Sequence, residues 1–267
     1  MIFTFIIPRR LNCIEASWMP SARAMIESVG HEKGEVPPVD LLLRKGNKGF
    51  NDPSSEATFP RRFENEWLIA RTKYTDYYLH RDYSLATTHP DVSKHTKLTY
   101  NAPGKGQSTD MSPLQNNNSS AETEMTGHII AHLNVSMSPL HASTPTDLDL
   151  FLTLRHFDKH DEEIFYTGTI GDPAPVTKGW LRVSLRKTNE SGFHHKSWLP
   201  QREYCSLDVQ PVIPNDVYAV DVEVWPTNVV VEEGGRLAIE ISSGDTNGLG
   251  CFVTIIRLTG QKLRSWD

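Results

Sequence analysis

The densest chemistry in this chain is the run RHFDKHDEE, which carries His156, Asp158, His160, Asp161, Glu162 and Glu163. Imidazole and carboxylate are the groups that zinc and other divalent ions take as ligands, so a metal site is the first reading. The run sits between two strand-like segments, and a solvated hairpin loop accounts for the same composition better. His194 and His195 in FHHKSW are adjacent. On a strand, neighbouring side chains point to opposite faces, so joint ligation is awkward and surface or edge places are expected. Trp67, Tyr77, Tyr78, Trp180, Trp198 and Trp225 could build a sugar-stacking platform on a sandwich face. Each also buries a large apolar area, and core or interface positions are the stronger expectation. Nucleophilic serine chemistry has no visible carrier, because G-x-S-x-G occurs nowhere and no serine sits in the strand-turn-helix setting of that elbow. A Ser-His-Asp site on another scaffold stays formally open. APGKGQST and EEGGRL lack the strand-to-helix context of a phosphate loop and read as turns. No catalytic, cofactor-binding or metal-ligating residue is assigned, and no cofactor is expected.

Any such groups would have to be positioned by a chain of 267 residues, room for one large or two modest domains. A hydrophobic share of 38% with 22% charged residues describes a soluble protein with many polar loops. The net charge of -6 argues against a phosphate-tracking nucleic-acid binder, which shows a basic face. Cys13, Cys205 and Cys251 are odd in number and far apart, with no C-x-x-C pair, so they read as isolated thiols. The opening MIFTFIIPRRLNC places its arginines after a short apolar run, the wrong order for a signal peptide. No stretch reaches the 18 or so apolar residues of a membrane span. A cytoplasmic location with no membrane and no nucleic-acid partner is expected. The sequons at Asn117, Asn118, Asn134 and Asn189 are taken as chance.

The elements that would do the positioning are strands. Residues 1–38 look irregular, with weak apolar spacing and Pro20 interrupting a candidate helix. PPVDLLLRKG offers a short strand at residues 39–44 with Val39, Leu41 and Leu43 on one face. A loop rich in Gly, Pro, Asn and Ser follows, then a strand at residues 77–80. HIIAHLNVSM aligns Ile129, Ala131, Leu133, Val135 and Met137, and DLDLFLTLRHF aligns Leu148, Leu150, Leu152 and Leu154 with Phe151 among polar neighbours. GWLRVSLRK sets Leu181, Val183 and Leu185 against Arg182, Ser184 and Arg186. In residues 216–245, Tyr218, Val220, Val222 and Val224 oppose Asp221 and Glu223. After a Trp-Pro bend, Leu237, Ile239 and Ile241 oppose Glu240 and Ser242 on a wet side. KLTY and CFVTIIRLTG complete the set, and the polar stretch 101–124 reads as a variable loop. Six to eight alternating strands without a convincing helix predict an all-β, jelly-roll β-sandwich.

TEMTGHIIAHLNVSM, TDLDLFLTLRHFD, GWLRVSLRK, HKSWLP and YAVDVEVWPTNVVVEEGGRLAIEISSGD follow one another in a familiar order. Together they resemble the C-terminal domain of the X-Pro dipeptidyl-peptidase and cocaine-esterase-like serine hydrolases. RRFENEWLIARTKYTDYYLH is similar to the segment leading into that domain, and VDLLLRKG to the last strand of the α/β-hydrolase domain before it. The resemblance covers roughly residues 39–258. It implies a galactose-binding-like jelly roll that supports a catalytic domain hydrolysing X-Pro peptides or esters. The nucleophile, acid and histidine of that family lie in the hydrolase domain, so no triad residue transfers to this sequence.

On this resemblance the expected layout is an irregular segment at 1–38, a remnant of the last hydrolase strand plus linker at 39–80, and the jelly roll at 81–267. The chain then reads as a fragment without its catalytic domain, or a stand-alone remnant. Residues 39–80 are expected to be partly unfolded or to stick to another protein. Leu68 stands where relatives usually have proline, and SGDTNGLGCFVTIIRLTG is shorter than the family pattern. The expected partners are a catalytic α/β-hydrolase domain or a second copy through the exposed interface. A free-standing carbohydrate-binding module is the alternative.

Overall fold

The computed structural model describes residues 4–8, 38–66, 69, 71–80, 82–89, 114–116, 121–138, 146–192, 196, 198–242 and 244–245. Of the described residues, 6% are helical and 47% are in strands. The leading strands are β1 Thr4–Pro8, β2 Val39–Leu42, β3 Arg44–Lys45, β4 Arg61–Glu64, β5 Tyr74–Leu79, β6 Ser84–Ala86 and β7 Leu114–Asn116. Then come β8 Thr123–Val135, β9 Asp149–Phe157, β10 Glu163–Ile164, β11 Tyr166–Thr167 and β12 Pro173–Ala174. The last are β13 Thr177–Arg182, β14 Tyr218–Val231 and β15 Arg236–Ser242.

Hydrogen-bonded neighbours run β10-β9-β13-β14-β8-β1-β5-β6-β7-β15, and β15 also pairs with β9. This all-β sandwich encloses one main core. The alternation read from the sequence supplies it: Ile129, Ala131, Leu133 and Val135 of β8, Leu150, Leu152 and Leu154 of β9, and Leu237, Ile239 and Ile241 of β15. Leu181, Val220, Val222 and Val224 join them.

Three details depart from the sequence reading. The Trp-Pro step does not end a strand; β14 runs through it with a register shift between Val224 and Thr227 against β8. Val224 pairs Ile129 and Thr227 pairs Gly127, so Trp225 and Pro226 together oppose His128. Proline lacks the N–H that a ladder position needs, and a bulge is where a strand accommodates it. The extra residue flips the inward parity from Val220, Val222 and Val224 to Val229 and Val231. Second, the β15 side taken as wet is buried, because Glu240 is held by Arg155. Third, β13 stops at Arg182 and Val183–Leu185 forms a 3-10 turn.

The N-terminal layout is also different. Thr4–Pro8 is a strand between β5 and β8, not irregular chain. The boundary expected at 80/81 falls inside the β5–β6 hairpin, where Tyr78 pairs Ala86. Within residues 39–64, β2 pairs antiparallel with β4 as a two-stranded ribbon. Val39, Leu41 and Leu43 do share a face there, packed with Ile69. The strands expected at KLTY and CFVTIIRLTG lie outside the described residues.

Candidate docking face

The His and acid run of residues 155–163 is a tied-down hairpin. His156 points into the sandwich, where its Nδ1 meets the Tyr166 hydroxyl at 2.9 Å. Asp158 accepts the backbone N–H groups of His160 and Glu162, which holds its carboxyl below the usual range. Glu163 and Glu240 both bind Arg155, at 2.7 Å each. Asp161, in a left-handed turn position with φ 67°, binds Arg236. Asp158, Asp161 and Glu163 are thus engaged by turn amides and arginines pointing several ways. Among the described residues no group of three His, Cys, Asp or Glu is placed to hold a metal ion. His194, His195, Trp67, Cys13 and Cys251 lie outside the described residues, and Cys205 is exposed.

The aromatics divide. Tyr77 packs against the core, Tyr78 meets the His89 ring at 4.7 Å, and Trp198 packs on His128 at 5.1 Å. Trp180 and Trp225 are not core residues; they are 41% and 61% exposed. Their ring centroids stand 5.4 Å apart at an interplanar angle of 43°. That is the separation of a contacting aromatic pair, worth about 0.5–1.5 kcal/mol beyond area burial. The two indoles therefore form one bent shelf on the outside of the sandwich.

Its position follows from the local fold. Gly179 of β13 pairs antiparallel with Val224 of β14, so Trp180 and Trp225, each one residue on, are diagonal neighbours. Thr177 Oγ1 donates to the Trp225 carbonyl at 2.8 Å and fixes the far end. Around the shelf the charges are largely paired. Arg182 binds Asp149 through two 2.7 Å hydrogen bonds, Lys178 binds Asp245, and His132 binds Asp221. Glu223 is the softer group: burial raises its pKa against the opposing field of Arg202.

Beside the shelf runs the linker. β3 joins β14 in parallel at Val229 and Val230, just past the Trp225–Pro226 bulge. The Arg44 guanidinium donates to the carbonyls of Asn228 at 2.8 Å and Val176 at 3.2 Å, and to Thr227 Oγ1. It also lies 4.2 Å over the Tyr166 ring. Burial lowers the Arg44 pKa, pushes Tyr166 up to about 12 and pushes His156 down to about 4. Arg62 of β4 reaches Glu124 of β8 through a two-pronged ion pair, Lys45 pairs with Glu122, and the Asn51 N–H donates to Thr167 Oγ1, so the ribbon is fastened to the sandwich at several places.

An all-β core, an exposed indole pair on its outer face and a ribbon laced beside that pair define a β-sandwich module. Family comparison places it. The chain belongs to the family described as X-Pro dipeptidyl-peptidase C-terminal non-catalytic domain, whose model matches residues 32–262.

Two mycobacterial proteins bearing the name "Putative serine esterase", from Mycobacterium bovis and Mycobacterium tuberculosis, are each 25% identical over 136 residues. That match takes in 49% of this chain and 19% of theirs. A crystal structure of a CocE/NonD family hydrolase from Staphylococcus aureus superposes with a TM-score of 0.64 at 16% identity. It covers 91% of this chain and 42% of the staphylococcal one. An α-amino acid ester hydrolase structure gives 0.51 at 12% identity, over 86% of this chain and 36% of that one. These two likenesses concern the fold. The chain spans less than half the length of the relatives it matches.

Trp180 and Trp225 stand among the six aromatics that the sequence offered for a platform, but their contact with each other and the arginine clasp beside them were not singled out by sequence reasoning. The Trp-Pro step inside an otherwise regular alternation was the local signal.

Proposed function

We propose that this sandwich serves as the non-catalytic docking module of a serine hydrolase acting on X-Pro peptides or esters. Its partner is a catalytic α/β-hydrolase domain, joined to it or supplied by another chain. Trp180 and Trp225 carry the reading: two contacting indoles stay exposed beside the ribbon that leads into the sandwich. Covering them removes on the order of 200 Å² of indole from water, about 5 kcal/mol at about 25 cal/mol per Å². The exposed Phe63 and Leu42 put further apolar surface on the ribbon itself, at 62% and 40% exposure. Family membership supports the division of labour, since the matching model describes a C-terminal non-catalytic domain. Residues 39–42 fit the role of a strand continuing a partner's sheet, because β2 pairs only with β4 among the described residues. No helix among the described residues is long and apolar enough to cross a membrane.

The test is recovery of the tagged protein from the cells that make it, followed by a fluorophosphonate probe for activated serines. The label is expected on an α/β-hydrolase domain in the same or a co-purifying chain, and on no serine of residues 38–245. Labelling within 38–245 would overturn the reading. So would an active hydrolase that is held equally by the double variant Trp180→Ala, Trp225→Ala.

One observation favours a second reading. Exposed indoles beside Glu223 and Lys178 offer both a stacking face and hydrogen-bonding groups, the combination a pyranose ring takes. Saturable quenching of tryptophan fluorescence by a saccharide, abolished in the same double variant, would support it.

A further inference from the structure

The two strands that carry the shelf are barely joined to each other. Among the described residues the β13–β14 ladder consists of Gly179 against Val224. At the very next residues β14 bulges at Trp225–Pro226, where proline has no N–H to offer β8 or β13. Besides the Thr177 hydroxyl on the Trp225 carbonyl, a further tie is needed to fix the spacing of the strands past the bulge.

Arg44 is placed to do it. Its Nη2 donates to the Val176 carbonyl, immediately before β13, and to Thr227 Oγ1, immediately after the bulge on β14. Its Nε donates to the Asn228 carbonyl. The planar fork thus spans the β13 side and the β14 side at once, which a lysine's single ammonium cannot do in the same way. The Tyr166 ring beneath the guanidinium closes the cage, and the Tyr166 hydroxyl is itself held against His156 of β9. All these partners are neutral, so the arrangement is not an ion pair that could re-form elsewhere along the surface. The Nε and Nη2 donors are matched to acceptors on both sides of the gap.

We infer that Arg44 is a positioning residue for the tryptophan shelf: it staples the start of β13 to the segment of β14 after the bulge, and so sets Trp225 beside Trp180. Because Arg44 belongs to β3 of the ribbon, the seating of residues 39–64 and the shape of the outer face become one event. The shelf is assembled only when the ribbon is in place. The functional meaning of this coupling rests on the docking reading; the geometry does not.

The test reads the two rings directly. Indoles 5.4 Å apart couple their electronic transitions and give a paired positive and negative band in ultraviolet circular dichroism. W180F and W225F, each removing one indole, define that signal by abolishing it. R44M is expected to lose at least half of it while the protein remains folded by thermal melting. R44K is expected to lose a smaller part, since it keeps charge but not the fork. R62M, which releases a different fastening of the ribbon, at Glu124, is expected to keep the signal. An undiminished signal in folded R44M would overturn the inference, and so would equal loss in R62M and R44M. If R44M fails to fold, R44K decides alone: an undiminished signal there overturns the inference. Loss of the signal in R44M, with hydrolase capture unaffected by W180A/W225A, would leave the staple standing and remove only the docking reading.

Discussion

Gly179 and Val224 approach so closely that a Cβ at position 179 would lie 2.7 Å from the Val224 Cα. It would meet the Glu223 carbonyl closer still. Backbone atoms cannot move aside as a flexible side chain can, so the contact requires glycine. This close approach is what lets the neighbouring tryptophans touch.

Gly179→Ala is therefore expected to push β13 from β14. The expected cost is about 1–3 kcal/mol, the range for forcing extra atoms into a packed site. Urea unfolding measures it, and the same variant should weaken the indole coupling. A stability change within about 0.5 kcal/mol, the range typical of uninvolved positions, would show that the strands separate freely.

Acid should destabilise the sandwich before the carboxylates titrate. Burial pushes His156 and His128 down to about 4, from an ordinary value of 6.5. For His156 the nearby Arg44 acts in the same direction and Asp158 against it. A histidine whose folded pKa is depressed takes up its proton more readily in the unfolded chain. Its neutral form favours folding above pH 6.5, and that stability is lost as pH falls from about 6.5 toward about 4. Each residue contributes on the order of 3 kcal/mol across that window, as an upper value. Thermal midpoints from pH 7 to 4 should fall, and His156→Phe should flatten the slope. A midpoint independent of pH down to 4.5 would contradict the buried neutral state.

The Arg155 cluster gives a sharper stability test. Arg155 is 8% exposed and binds Glu240, which is 3% exposed, and Glu163 on the other side. Removing Glu240 takes one anionic partner from a buried cation that keeps Glu163, at a cost below the about 3–5 kcal/mol of a buried charge left with no partner. Glu240→Ala should lose about 1–3 kcal/mol in chemical denaturation. Replacing Arg155 and Glu240 together with Met and Leu should recover much of the loss. Equal losses in the single and double variants would mean that packing alone is at stake.

Much of this architecture is legible in the sequence because its source is period-2 alternation, and that survives intact in Val220, Val222 and Val224 and in Leu237, Ile239 and Ile241. Alternation fails as a guide to what covers a face. Glu240 looks wet until Arg155, 85 positions away, is seen to neutralise it. The bulge at Trp225–Pro226 hides for a related reason. A Trp-Pro step reads as a turn, and only the partner register with β8 reveals that the strand continues with its parity reversed. Trp180 and Trp225 are 45 positions apart, and nothing local says that their rings touch. The ribbon was legible as strand, since Val39, Leu41 and Leu43 alternate. Its fastening was not, since Arg44 looks like an ordinary charged residue at a strand end.

The central claim is that Trp225 faces a catalytic domain. It is tested most directly by placing a photo-crosslinking phenylalanine analogue at position 225 in the protein in its own cells, with a second sample carrying it at position 207. Leu207, in the short 3-10 helix Ser206–Asp208, is 93% exposed and serves as the comparison. After irradiation, mass spectrometry of the crosslinked peptides identifies what position 225 touches. The account predicts peptides of an α/β-hydrolase domain from position 225, in the same or another chain, and few or none from 207. Crosslinks from 225 to no hydrolase peptide, or the same partners from both positions, would contradict it.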